Sequence, residues 1–209
     1  MSISYNRIAG QSVERLAALS DGIFAVAMTL LLLELHTPAR ALIQSEGELR
    51  HAFVGLIPQL LVYLMSFVTL GIFWVGQQTQ LNHLTRSNRA LTWIHLGFLF
   101  CVTVMPFSTR LLSEFLGFRS ALLAYWLNIL LLGAMLYASW GCATRAQLVK
   151  EDVASEVPAA ICRRIAIAQG LYGFGALLCV LSTYWSIGFI LLVQLNYAIA
   201  PSSWRTRGE

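Results

Sequence analysis

Three polar or charged side chains, Arg15, Ser20 and Asp21, lie in the opening turns of an apolar segment long enough to cross a bilayer. A charged side chain near the centre of a membrane helix costs about 2.5 to 3.5 kcal/mol on insertion scales, so something must compensate for it. Such a cluster could supply an ion-binding carboxylate, a catalytic group or an anchor between helices.

Enzymatic chemistry has little support. Ser20 and Asp21 project about 100° apart on a helical wheel, which is a poor arrangement for a nucleophile and its base. The chain has no His-Glu-x-x-His pair, no Gly-x-Ser-x-Gly and no paired carboxylates in facing apolar segments. Its cysteines show no Cys-x-x-Cys spacing, so neither a metal site nor a disulfide framework is predicted. We expect a protein that is not an enzyme and that holds no cofactor.

The elements that carry these residues are predicted to be membrane helices. The composition, 57% hydrophobic and 11% charged, is typical of a polytopic membrane protein. A spanning helix needs about 20 mostly apolar residues. We therefore predict an all-α protein with one domain over residues 1–209 and six transmembrane helices, at about 16–35, 53–76, 88–107, 120–141, 164–182 and 184–201.

Basic residues predict the orientation, because short loops rich in Lys and Arg stay cytoplasmic. The side of the termini holds Arg7, Arg15, Arg86, Arg89, Arg145, Lys150, Arg163, Arg164, Arg205 and Arg207. The opposite side holds Arg40, Arg50, Arg110 and Arg119. We predict cytoplasmic termini and a prokaryotic inner membrane. The net charge of +4 then reflects topology, and no nucleic-acid partner is expected.

A cleaved signal peptide is the competing interpretation of the first segment. Asp21 interrupts its apolar run, Glu34 and His36 follow directly, and no small-x-small cleavage site stands beyond. A retained first membrane helix is therefore favoured.

One narrow stripe of the first helix is predicted from its wheel, with Ala27, Leu30 and Glu34 each within about 40° of Ile23. Asp21 lies about 160° from Ile23 and is expected to anchor the helix in the polar interior of the subunit. The stripe is left for lipid, another subunit or a pore. Hydrophobicity alone favours lipid, but Glu34 below the stripe favours a pore mouth that concentrates cations.

The polar cluster must find its partners on other helices, since Arg15 and Asp21 lie about 120° apart and cannot pair within the helix. Candidate partners on the second and third helices are Gln59, Trp74, Asn88 and His95. We interpret His95 as a hydrogen-bonded packing residue rather than a proton sensor.

The first helix also resembles a known family. The run from Arg15 through Ser20 and Asp21 to Leu30 is similar to Arg-x-x-x-Phe-Ser-Asp-Gly-Ile/Leu-x-Ala-x-Ala-x-Thr-Leu-Leu, the hallmark of the transmembrane protein 175 potassium channels. The resemblance continues at Phe73-Trp74, Asn88 and Met105-Pro106-Phe107. Leu19 replaces the phenylalanine of the motif. Gln77 and Gln78 stand where many relatives have histidine, so a proton-sensitive role at that position is not expected.

The resemblance implies a homotetrameric channel that favours potassium, with the first helix lining a central pore and rings of apolar side chains forming the constriction. Four copies of Ile23 would make the narrowest ring, with Leu30 about 10 Å further along and Ala27 widening the space between. The segment Tyr172-Gly-Phe-Gly175 only superficially echoes a carbonyl filter, because it lies inside an apolar span. The alternative is a secondary transporter or proton-coupled cation exchanger with Asp21 as the ion-binding carboxylate.

Overall fold

A computed structural model describes residues 12–35, 37–38 and 43–199, and within these ranges the chain forms six α-helices and no β-strand. The helices are α1 (Val13–Leu33), α2 (Glu46–Asn82), α3 (Arg89–Glu114), α4 (Arg119–Arg145), α5 (Val157–Leu177) and α6 (Thr183–Ile199). A 3-10 turn, Leu178–Val180, follows α5. The predicted all-α fold is confirmed.

Four of the helices, α1 to α4, are long and apolar enough to cross a bilayer. The helix α6 is apolar but has 17 residues. The helix α5 carries Arg163 and Arg164 in its first half, which lowers its hydropathy. The end of the last predicted span and the basic residues Arg7, Arg40, Arg205 and Arg207 lie outside the described residues.

Two helices begin well before the apolar segments that predicted them, because residues that favour the start of a helix precede each apolar run. Ser45 and Glu48 form a reciprocal capping box at the start of α2, with the Glu48 N–H donating to Ser45 Oγ at 3.3 Å and the Ser45 N–H donating to Glu48 Oε2 at 3.2 Å. Pro158 lies in the first turn of α5, where a backbone N–H has no partner within the helix, so proline costs no hydrogen bond there.

Apolar side chains from all the helices meet in the centre of the bundle. Phe24 and Leu31 of α1, Met65 of α2, Phe98 of α3 and Tyr125 of α4 are all buried there. The helix α1 packs on α2 and α3, whereas α6 packs on α2 and α5. As a result α1 lies at one side of the bundle, with much of its surface uncovered by the rest of the chain.

Two loops at one end of the bundle are joined by backbone hydrogen bonds. Leu84 and Val149 form an isolated antiparallel bridge. The Thr85 N–H donates to the Leu148 carbonyl and the Lys150 N–H to the His83 carbonyl, both at 2.9 Å. We call residues 83–85 and 148–150 the loop clasp. It ties the connection after α2 to the connection after α4.

Candidate functional site

Asp21 joins α1 to α2 through two hydrogen bonds. Its Oδ1 accepts from the Trp74 indole N–H at 2.8 Å and from the Gln78 amide at 2.7 Å. Trp74 and Gln78 are four residues apart on α2, so they stand on the same face of that helix. Arg15, by contrast, has an exposed side chain at the start of α1, and its N–H is capped by Ser12 Oγ at 3.2 Å.

The expectation that Asp21 anchors in the interior of the subunit needs correction. Asp21 is exposed in the single chain and lies along the outer seam between α1 and α2. The reason is that Ser20 already occupies the interior position. Adjacent residues of a helix project about 100° apart, so only one of the two can face the core.

Ser20 is the interior contact, and it joins three helices. Its hydroxyl is fully buried, bonds the Leu16 carbonyl at 2.7 Å and shares a 2.7 Å hydrogen bond with His95 Nε2 of α3. The Gln77 amide of α2 donates to Ser20 Oγ at 3.1 Å. The beginning of α1 is thus bonded to the end of α2 and the beginning of α3.

Two of the predicted partners of the polar cluster, Asn88 and Gln59, lie elsewhere in the structure. Asn88 caps α3, where its Oδ1 accepts from the Leu91 N–H at 2.8 Å. Gln59 lies about 22 Å along α2 from Trp74, too far to reach the cluster. Its Oε1 is buried without a hydrogen-bond partner among the described residues.

The uncovered face of α1 is rotated from the predicted stripe. Val26 is 57% exposed, Leu19 43% and Leu30 41%, whereas Ala27 is only 2% exposed. Ile23 is half-buried, at the edge of this face. Ala27 therefore packs in the core of the subunit instead of widening an open channel surface, because its small side chain lies where α1 approaches the other helices.

A shallow groove of about 410 Å³ runs along this open face. Its apolar walls and floor come from α1, and Thr103 of α3 adds one hydroxyl. The residues of α1 in the groove are Ala18, Leu19, Gly22, Ile23, Val26, Ala27 and Leu30.

The far end of α1 carries an ion pair that sequence reasoning missed. The Glu34 carboxylate lies 3.6 Å from Arg110 Nε of α3, and the same nitrogen donates to Glu114 Oε1 at 2.9 Å. Arg110 therefore offsets part of the negative charge that Glu34 was expected to present. Arg110 and Glu114 are four residues apart, which is the spacing of an intrahelical pair and the one signal that pointed to them.

Gln77 and Gln78 have a role that the sequence did not indicate. The amide of each donates a hydrogen bond to α1, Gln77 to Ser20 and Gln78 to Asp21. The four-residue spacing of Trp74 and Gln78 is the signal that could have identified Gln78.

Within the described residues no group of three His, Cys, Asp or Glu side chains could hold a metal ion. The helix α1 instead has a hydrogen-bonded beginning, an open apolar middle and a charged end. The fold and site define a polytopic helical membrane protein whose first helix is anchored on one side and uncovered on the other.

Comparisons with known proteins identify the family. Residues 15–106 match the family described as "Endosomal/lysosomal potassium channel TMEM175". A potassium channel of Streptomyces collinus is 30% identical over 198 residues, which cover 93% of this chain and 87% of that protein. A potassium channel of Chamaesiphon minutus is 29% identical over 193 residues, which cover 90% and 95%.

A solved structure agrees with both relatives. The crystal structure of a lysosomal potassium-selective channel TMEM175 homolog from Chamaesiphon minutus matches with a TM-score of 0.78 at 27% identity, covering 90% of this chain and 96% of that one. The chain belongs to the TMEM175 family, as its first-helix motif predicted.

Proposed function

We propose that four copies of this chain form a cation channel that favours potassium, with α1 lining a central pore. The observation that carries the proposal is the similarity to a relative named a potassium channel, which extends over 87% of the length of that relative. The domain comprises residues 1–209, and all six helices cross the inner membrane of a prokaryote with both termini in the cytoplasm.

The open face of α1 supports the tetramer. The rest of the chain covers only one side of α1. Val26, on the other side, is 57% exposed and is available for contact with further copies. One helix can surround a pore only by symmetric repetition, so a closed ring of four subunits would bring four such faces to one axis.

Apolar rings would form the constriction. Ile23 and Leu30 are on the groove side of α1 and about 10 Å apart along the helix. Such rings close by dewetting and, when open, favour the ion that loses water more easily, which is K⁺ rather than Na⁺. Ala27 is beneath this surface and would allow close packing of α1, a change from its expected role.

The remaining site residues position α1 or shape the field at its end. The bonds of Ser20 with His95 and of Asp21 with Trp74 would fix the angle of α1. Glu34, partly offset by Arg110, would attract cations to the pore mouth.

The test is ion flux in liposomes that hold only the purified protein. We expect K⁺-driven flux that exceeds Na⁺-driven flux, and a mass in detergent that corresponds to four chains. Absence of K⁺ flux, or equal permeation of the two ions under every condition, would refute the selective channel. Slow, saturable flux that follows a proton gradient, together with a stable monomer, would instead indicate the exchanger.

The constriction has its own test. Ile23→Ala is expected to widen the ring, raise flux and reduce the preference for K⁺ over Na⁺. Ile167→Ala makes the same chemical change on α5, where the side chain is 51% exposed, and serves as the control. If both variants behave like the parent protein, Ile23 does not form the constriction.

A further inference from the structure

A second cavity lies away from α1, between α2 and α5. Its volume is about 120 Å³, and Leu136 of α4 and Tyr197 of α6 contribute to its wall. Most of its lining is apolar. The cleft is somewhat smaller than an apolar cavity of about 150 Å³ that accepts benzene, so it has room for only a short segment of an acyl chain.

Arg164 stands at this cleft. It lies two turns into α5, about 10 Å along the axis from Val157, and its side chain is exposed. The guanidinium stacks over the Tyr197 ring at 5.7 Å, and among the described residues it forms no ion pair with a carboxylate. An exposed arginine at this depth reaches the headgroup region, where its planar fork suits a phosphate.

Two residues that line the cleft carry buried polar atoms for which the described residues supply no hydrogen-bond partner. The Tyr172 hydroxyl and Gln169 Oε1 are buried without a hydrogen bond among the described residues, and Tyr172 itself is only 1% exposed. Helical side chains lean toward the N-terminus of their helix, so the Tyr172 ring is displaced toward the end of α5 that carries Arg164, which also lines the cleft. A buried hydroxyl without an acceptor is unfavourable, and an occupant with a carbonyl oxygen would supply one.

We propose that the cleft between α2 and α5 binds an anionic phospholipid from the leaflet at the N-terminal end of α5. The phosphate pairs with Arg164, an ester carbonyl accepts from Tyr172, and a short segment of one acyl chain fills the apolar part of the cleft. Charge complementarity selects this occupant, because a basic side chain beside an apolar cleft between membrane helices matches an anionic headgroup and its chain.

The experiment is native mass spectrometry of the purified protein with equimolar phosphatidylglycerol and phosphatidylcholine of identical acyl chains. We expect the parent protein to retain phosphatidylglycerol in excess. Arg164→Gln should weaken phosphatidylglycerol binding about tenfold, the loss of one charge-assisted hydrogen bond. Arg163→Gln removes the same charge from the adjacent exposed residue, which does not line the cleft, and should leave binding unchanged.

A second variant tests the interior of the site. Tyr172→Phe should weaken the binding of phosphatidylglycerol and of phosphatidylcholine by the same factor, because both lipids carry the ester group. Equal binding of the two lipids by the parent protein, equal losses in Arg163→Gln and Arg164→Gln, or displacement by millimolar inorganic phosphate would each overturn the proposal. The readout is bound lipid, so failure here would leave the proposed channel function unaffected.

Discussion

The bond between Asp21 and Trp74 gives the sharpest test of how α1 is held. Asp21→Ala removes the acceptor of two hydrogen bonds, at 2.8 Å to Trp74 and 2.7 Å to Gln78. A hydrogen bond to a charged group contributes about 1.5 to 3 kcal/mol, and the exposure of Asp21 places each of these near the lower value. We therefore expect Asp21→Ala to destabilise the protein by about 3 kcal/mol.

Trp74→Phe removes one of the two bonds together with part of the ring surface. If the bond exists, the double variant should be destabilised by about 1.5 kcal/mol less than the sum of the single variants. For a protein of this size that coupling corresponds to roughly 3 to 6 °C in the unfolding midpoint. The assay is size-exclusion chromatography after stepwise heating in detergent, which reports the folded fraction at each temperature.

Trp185→Phe provides the control. Trp185 of α6 is 73% exposed and far along the chain from α1, so its effect should add to that of Asp21→Ala. If Trp74→Phe is also additive, to within about 0.5 kcal/mol, then Asp21 does not bind Trp74 and the account of the anchor is refuted.

Two further predictions concern the charged end of α1 and the packing of α5. Arg110→Gln should release Glu34 and increase cation flux at low ionic strength but not at high salt. Arg50→Gln, measured in the same liposomes, is the control and should change the flux less. Equal effects of the two variants would argue against the ion pair. Gly175→Ala would place a methyl group 2.8 Å from the Ile190 side chain. This change should reduce the free energy of unfolding by about 1 to 3 kcal/mol and lower the unfolding midpoint. Gly170→Ala on the same helix meets nothing within 4 Å and should leave the midpoint unchanged or raise it, so a similar loss in both variants would contradict the packing.

Helix class and order were predictable because long apolar runs in a chain with few charges have only one common solution in lipid. Helix ends were less predictable. Apolar content placed the start of the second helix at 53, whereas the capping box of Ser45 and Glu48 places it at Glu46. Hydropathy reports where a chain meets lipid, and capping chemistry reports where a helix begins.

The site was predictable in its motif and less so in its rotation. A wheel orders Leu19, Ile23, Val26 and Ala27 around an axis but carries no information about which neighbour covers which side. The structure covers Ala27 and uncovers Val26, since the small residue permits close helix approach and the larger one does not. The pairing of Glu34 with Arg110 likewise joins two helix ends whose separation in sequence hides their proximity.

The loop clasp gives this bundle a mechanical connection between distant elements. Residues 83–85 continue directly from the end of α2 that carries Gln77 and Gln78, and those glutamines bond α1. Residues 148–150 belong to the segment that leads into α5. The backbone hydrogen bonds of the clasp therefore link the segment that leads into α5 to the end of α2 that holds α1.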